Sequence, residues 1–218
     1  GTKVLEEGDS PINGRLTVVQ DLAWGTYIKA GGLTQSGGVA KKVWETTLNK
    51  VKSEKLKAKS CLILGLGGGS IAGLVRKMWQ EAKVTGVDAD LSIVKLGKKY
   101  MGLDKLKVKI IIKDAIDFLT NRESRITNHY DLICVDIYQG DKIPDKFETE
   151  NYIHLVRREL ARTGTGRYPS RGGVAIFNRL YYGEKRARAM KFGEKLRKSF
   201  SKVETVFPEA NVMFICRS

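Results

Sequence analysis

The chain has 218 residues, room for one α/β domain with a modest extension and enough to bury a sizeable core. Hydrophobic residues make up 42% and charged residues 29%, which excludes a fibrous or compositionally disordered chain. The net charge is +15, from 39 Lys and Arg against 24 Asp and Glu, but the basic runs lack the interleaved aromatics of a single-strand groove, so nucleic acid is not the expected partner.

No apolar run reaches the roughly 18 residues a membrane span needs, and the first ten residues are polar and mixed in charge, unlike a signal peptide. Cys61, Cys134 and Cys216 sit far apart in apolar runs and read as buried thiols of a reducing, cytoplasmic compartment. His129 and His154 have no partner at ligand spacing, so no metal site is expected.

In chain order, residues 15–20 and 26–29 alternate as strands joined by a turn at Trp24-Gly25, and Gly31-Gly32 makes the next turn. Val39, Val43, Trp44 and Leu48 then recur at helical spacing. Residues 1–52 are therefore expected to form a small N-terminal β cap with a linking helix, and residues 53–218 the main domain. Strands at 61–64, 84–87, 108–112, 132–135 and 174–177 alternate with helices at 70–80, 91–100, 115–119, 149–160 and 184–200. Two strands, 203–206 and 212–215, close the chain. Seven strands with crossover helices predict an α/β fold built on a doubly wound, mostly parallel sheet. Residues 161–173, with Arg162, Arg167 and Arg171 among Gly164, Gly166 and Pro169, read as a flexible insert.

Ligands of such sheets bind at the carboxyl ends of the strands. After the first strand comes Gly65-Leu66-Gly67-Gly68-Gly69-Ser70, a glycine turn opening a helix, which lets backbone approach a ligand closely. Asp88 ends the second strand, placed to hold both hydroxyls of a ribose. Asp90 reads as a helix cap, and Asp114 suits a cap and a ligand contact alike. Asp136 ends the fourth strand and is expected to face the cleft, and Asn178 follows the fifth.

Taken together, these motifs resemble the S-adenosylmethionine-binding methyltransferase fold and, within it, a divergent branch of the spermidine synthase (polyamine aminopropyltransferase) family. The resemblance runs from about Leu16 to Asn178. It implies that Gly65, Gly67, Gly68 and Gly69 cradle the donor, that Asp88 and Ala89 form the ribose segment, and that Asp114 and Ala115 form the adenine segment. It further implies that Gln35 reaches the nucleoside from the β cap and that Asp136 is catalytic. Tyr138 and Gln139 would shape the acceptor pocket, with Asp141 restoring part of the charge absent at 139. The implied cofactor is S-adenosylmethionine or its decarboxylated form, the implied partner is a small-molecule or protein amine acceptor, and a homodimer is the implied assembly.

Three departures bear on the reaction. Spermidine synthases place an acid where this chain has Gly68, and that acid favours a donor lacking a carboxylate. They carry a second acid where this chain has Gln139. Val43-Trp44-Glu45 stands near their Tyr-His-Glu segment. Methyl transfer from S-adenosylmethionine is therefore the favoured expectation. Aminopropyl transfer to a polyamine and a non-catalytic nucleoside-binding module remain as alternatives.

Overall fold

The computed structural model describes residues 1–121, 129–160 and 172–218. The arginines of the expected insert, Arg162, Arg167 and Arg171, lie outside the described residues. The chain opens with an antiparallel meander of four strands in sequential order, β1 (Lys3–Ser10), β2 (Gly14–Asp21), β3 (Gly25–Ala30) and β4 (Leu33–Ser36). Helix α1 (Gly38–Ser53) then leads into alternating strands and helices: β5 (Ser60–Leu64), α2 (Ser70–Met78), β6 (Lys83–Asp88), α3 (Leu91–Tyr100), β7 (Lys109–Ile112), α4 (Ala115–Thr120) and β8 (Leu132–Val135). After β8 come α5 (Glu150–Arg158), β9 (Val174–Leu180), α6 (Lys185–Ser199), β10 (Lys202–Val206) and β11 (Asn211–Arg217).

The seven-stranded sheet runs β10-β11-β9-β8-β5-β6-β7. Strand pairs β5–β6, β5–β8, β6–β7 and β8–β9 are parallel, and β11 lies antiparallel between β9 and β10. This is the doubly wound, mostly parallel sheet expected from the sequence. Its central strands are apolar on both faces, as a sheet covered by helices on each side requires. Cys61 and Ile63 of β5, with Leu132 and Cys134 of β8, pack on the side of α1, α2 and α3. Leu62 and Leu64, with Ile133 and Val135, pack on the side of α4, α5 and α6. The inner face of the four-stranded sheet, with Leu16, Val18, Ile28 and Ala30, joins the first of these clusters beside Trp44.

Strand β1 is absent from the sequence expectation, because only Ser10 of its residues is buried and a bulge between Val4 and Glu6 breaks its alternation. Strand β9 extends to Leu180, so Asn178 lies inside the strand and not after it. The antiparallel partner β11 carries the pairing on, with Asn211 opposite Leu180, where the parallel neighbour β8 has already ended at Val135 opposite Phe177. The chain order reverses between β5 and β8, the crevice where an open α/β sheet accepts ligands.

Candidate active site

A cavity of about 180 Å³ occupies that crevice. Its floor is the carboxyl edge of β5, β6 and β8, and its cover comes from the β1–β2 turn, β4 and α1. Gln35, Gly65, Gly67, Asp88, Ala89, Asp114, Ala115, Asp136, Tyr138 and Gln139 all line it. Gly68, Gly69 and Asp141 do not.

The glycine turn is tight because it runs against the neighbouring strand end. Gly65 has φ near +92°, and a Cβ there would collide with the carbonyl oxygen of Asp136. Gly68 behaves differently. Its Cα faces the four-stranded sheet, where a Cβ would lie 2.6 Å from Met101 Sδ and 2.9 Å from Ile28 Cδ1. Its N–H donates to Ser36 Oγ at 2.7 Å. A side chain at this position would enter the packing of Met101 and Ile28, whose flexible ends would have to shift to admit it. Gly69 packs behind the turn on Leu103.

Asp88 accepts from the N–H of Gly67 (2.7 Å) through Oδ2 and from the N–H of Asp90 (2.8 Å) through Oδ1. Burial raises its pKa to about 6, and these two backbone donors act in the opposite direction. Asp90 caps α3, accepting from Ser92 N at 2.9 Å, as its sequence position suggests. Its other oxygen accepts from Ser10 Oγ (2.5 Å) and Asn13 Nδ2 (2.6 Å), which ties the first hairpin to the main sheet. Asp114 caps α4, accepting from Ile116 N at 2.8 Å, and pairs with Lys146 at 2.5 Å.

Asp136 is held from two sides. Trp44 Nε1 donates to Oδ2 at 2.9 Å, and Asn178 Nδ2 donates to Oδ1 at 2.8 Å. Asn211 Nδ2 donates in turn to Asn178 Oδ1 at 2.8 Å, so one amide orientation satisfies both ends of the chain. Burial raises the Asp136 pKa to about 6, while Asn178, Trp44 and the charge of Arg179 oppose the rise. Tyr138 donates from its hydroxyl to the Asn178 carbonyl at 3.2 Å. Its pKa is pushed well above the usual phenol value by burial and by the Asp136 charge, so it remains a neutral donor.

The loop after β8 is fastened from above. Gln35 Nε2 donates to the Gly140 carbonyl at 2.8 Å, and the Gly140 N–H donates to Asn13 Oδ1 at 3.3 Å. Asp141 is turned away from the cavity and pairs with Lys185 at 2.9 Å. It lines an adjoining cavity, with Tyr138, and not this one. Sequence reasoning assigned no role to Trp44, Asn211 or Asn13. Trp44 did mark itself by standing where the resembled family has a polar segment.

Comparison with known proteins shows the family and the fold. The profile of the spermine/spermidine synthase domain matches residues 42–166, more than half of the chain. An eEF1A lysine and N-terminal methyltransferase of Mus musculus is 24% identical over 110 residues, 47% of this chain and 16% of that protein. A probable polyamine aminopropyl transferase of Bifidobacterium longum is 28% identical over 121 residues, 56% of this chain and 24% of that protein. The matches thus span a quarter or less of these curated relatives. The crystal structure of a probable spermidine synthase from Corynebacterium glutamicum superposes with a TM-score of 0.76 at 18% identity, covering 99% of this chain and 79% of that one.

Proposed function

The chain belongs to the spermine/spermidine synthase domain family, and from that premise we propose that it is an alkyltransferase moving a methyl group from S-adenosylmethionine to an amine. One observation carries the choice of donor. Each of the carboxylates lining the cavity is already engaged: Asp88 by two backbone N–H groups, Asp114 by α4 and Lys146, and Asp136 by Trp44 and Asn178. Both donors carry an ammonium but only S-adenosylmethionine a carboxylate, and with Gly68 in the glycine turn no acid stands there to repel it.

The lining suits an S-adenosyl group, with Asp88 offering acceptors for ribose hydroxyls and Leu33, Ile71, Val87 and Ile137 offering apolar wall for a base. Once bound, that group supplies a carbon activated by the adjacent sulfonium. Asp136 is the proposed general base. Its pKa near 6 leaves it ionised at neutral pH and still basic enough to accept an ammonium proton. The freed amine forms the N–C bond as the C–S bond breaks, the thioether leaves with the electron pair, and the proton resides on Asp136. Trp44 and Asn178 fix the carboxylate so that little reorganisation accompanies the transfer. Tyr138 and Gln139 form the acceptor side of the wall.

Aminopropyl transfer is the second reading, favoured by the likeness to the Bifidobacterium relative. Titration calorimetry with S-adenosylmethionine, its decarboxylated form and methylthioadenosine separates the two. The expected result is equal or tighter binding of S-adenosylmethionine. A tenfold preference for the decarboxylated donor would overturn methyl transfer, and binding of none of the three would overturn both readings.

A further inference from the structure

The wall that α1 gives to the cavity is apolar from the surface inward. Val39, Ala40, Val43 and Trp44 all line it, and their spacing places them on one face of the helix. Val39 is 37% exposed, Ala40 is half-buried, and Val43 and Trp44 are buried. The row therefore runs from solvent to the indole whose N–H meets Asp136 Oδ2. Val39 stands about 7.5 Å before Trp44 along the helix axis.

Charge is unevenly placed in this cavity. Its charged lining residues are Asp88, Lys113, Asp114 and Asp136. Asp114 follows Lys113 in the chain and pairs with Lys146 at 2.5 Å. Among the described residues, Asp136 is the only lining acid on the side of α1, β8 and β9. The amides beside it are neutral and occupied, Asn178 bonded to Asp136 and Asn211 to Asn178. A second cavity of about 400 Å³ adjoins the first, and Tyr138 and Leu180 line both. Its wall is balanced: Asp141 pairs with Lys185 at 2.9 Å, and Glu148 pairs with Arg188 at 2.6 Å and with Arg179 at 3.6 Å. With Asp88 given to the ribose, neither cavity has a second buried carboxylate without a cation among the described residues. An ammonium taken from water onto an apolar wall without such a partner is strongly disfavoured.

We propose that the acceptor is a monoamine on an uncharged aliphatic arm: its one amine reaches Asp136, and its arm lies along Val43, Ala40 and Val39 out to the surface. The inference rests on the alkyltransferase reading and narrows its acceptor class, because a polyamine would lay a second ammonium on this apolar row.

The test titrates hexylamine and 1,6-diaminohexane into the full chain loaded with S-adenosylhomocysteine. The diamine is long enough to carry its second nitrogen from Asp136 to the neighbourhood of Val39. Hexylamine should bind at least tenfold tighter. Val39→Asp puts a carboxylate on the row at the second residue of α1, where the first turn holds no acid and a negative charge is favourable. In that variant the ratio should shift toward the diamine at least tenfold, with retained S-adenosylhomocysteine binding showing that it folds. Equal or tighter binding of the diamine by the parent, no binding of hexylamine, or an unchanged ratio in Val39→Asp would overturn the proposal and leave the donor reading standing. Absence of S-adenosylhomocysteine binding by the parent would bring down the donor reading and this one with it.

Discussion

The carboxyl edge of the seven-stranded sheet and the four-stranded sheet above it meet at one cavity, but they hold it by different means. On the edge, Asp88 and Asp114 are fixed by backbone N–H groups of adjacent turns, so their positions follow from chain geometry. The cover holds on through side chains: Ser10 and Asn13 to Asp90, Ser36 to the Gly68 N–H, and Gln35 and Asn13 to Gly140. Backbone-anchored acids are suited to holding a donor in one place, since transfer tolerates little displacement. Side-chain fastenings can be exchanged one at a time, which suits a cover that admits and retains a ligand. Trp44 crosses from one region to the other by donating from α1 to Asp136.

Replacing Asp136 by Asn should give the largest effect. Turnover should fall by roughly 10²- to 10⁴-fold, the usual contribution of a positioned base, with donor affinity within about threefold. The same variant should melt higher than the parent at pH 8. Burial raises the folded pKa from 3.8 to about 6, so folding favours the protonated acid. The stability cost therefore appears as pH rises from about 4 through about 6 and is complete above, amounting to about 3 kcal/mol at most. A melting temperature lower than the parent's at pH 8 would contradict that sign.

Asp88→Ala should come next, weakening donor binding in calorimetry by about 1–3 kcal/mol through unmet ribose hydroxyls. Unchanged affinity would remove Asp88 from the donor site. The pH dependence sharpens the contrast further. Activity in kcat/KM should rise with pH through about 6 as Asp136 and Asp88 ionise, the charge of Asp88 adding to the rise at Asp136. Trp44→Phe removes one donor to the carboxylate, so the acidic limb should move to higher pH, with turnover at pH 8 within about threefold of the parent. An unmoved limb would mean that Trp44 only fills space.

The smallest effects should come from the cover. Gln35→Ala or Asn13→Ala should weaken donor binding by about 0.5–1.5 kcal/mol, read as faster dissociation in stopped flow, with kcat unchanged. If either reduced kcat as much as Asp136→Asn, the distinction between edge and cover would be lost.

The same contrast explains what the sequence could reveal. Strand ends followed by glycine or aspartate are local patterns, so Gly65, Asp88, Asp114 and Asp136 were legible, along with the sheet that carries them. Contacts that depend on folding over the cavity were not. Trp44 and Asp136 are 92 residues apart, and nothing in a helix spacing says which residue an indole N–H will meet. Gly68 misled for a related reason. Gly67 before it lines the cavity, but the direction of its own Cα is set by the turn's dihedral angles and by the close approach of Gly97, whose Cβ would lie 2.6 Å from it. Strand β1 was missed because only Ser10 of its side chains is buried, which leaves little hydrophobic pattern.

Strand β11 sits inside the main sheet, between β9 and β10, and carries the Asn211 that orients Asn178 against Asp136. A ribosome releases N-terminal segments first, and these begin to fold while the rest is being made. The glycine turn, Asp88 and Asp136 can therefore be in place long before residue 211 emerges, with β9 still an open edge. A nascent chain at that stage would have the edge of the cavity without the amide that holds Asp136. Pairing of this strand with β9 also brings Asn211 to Asn178, so the packing of the sheet and the hold on Asp136 are set in one event.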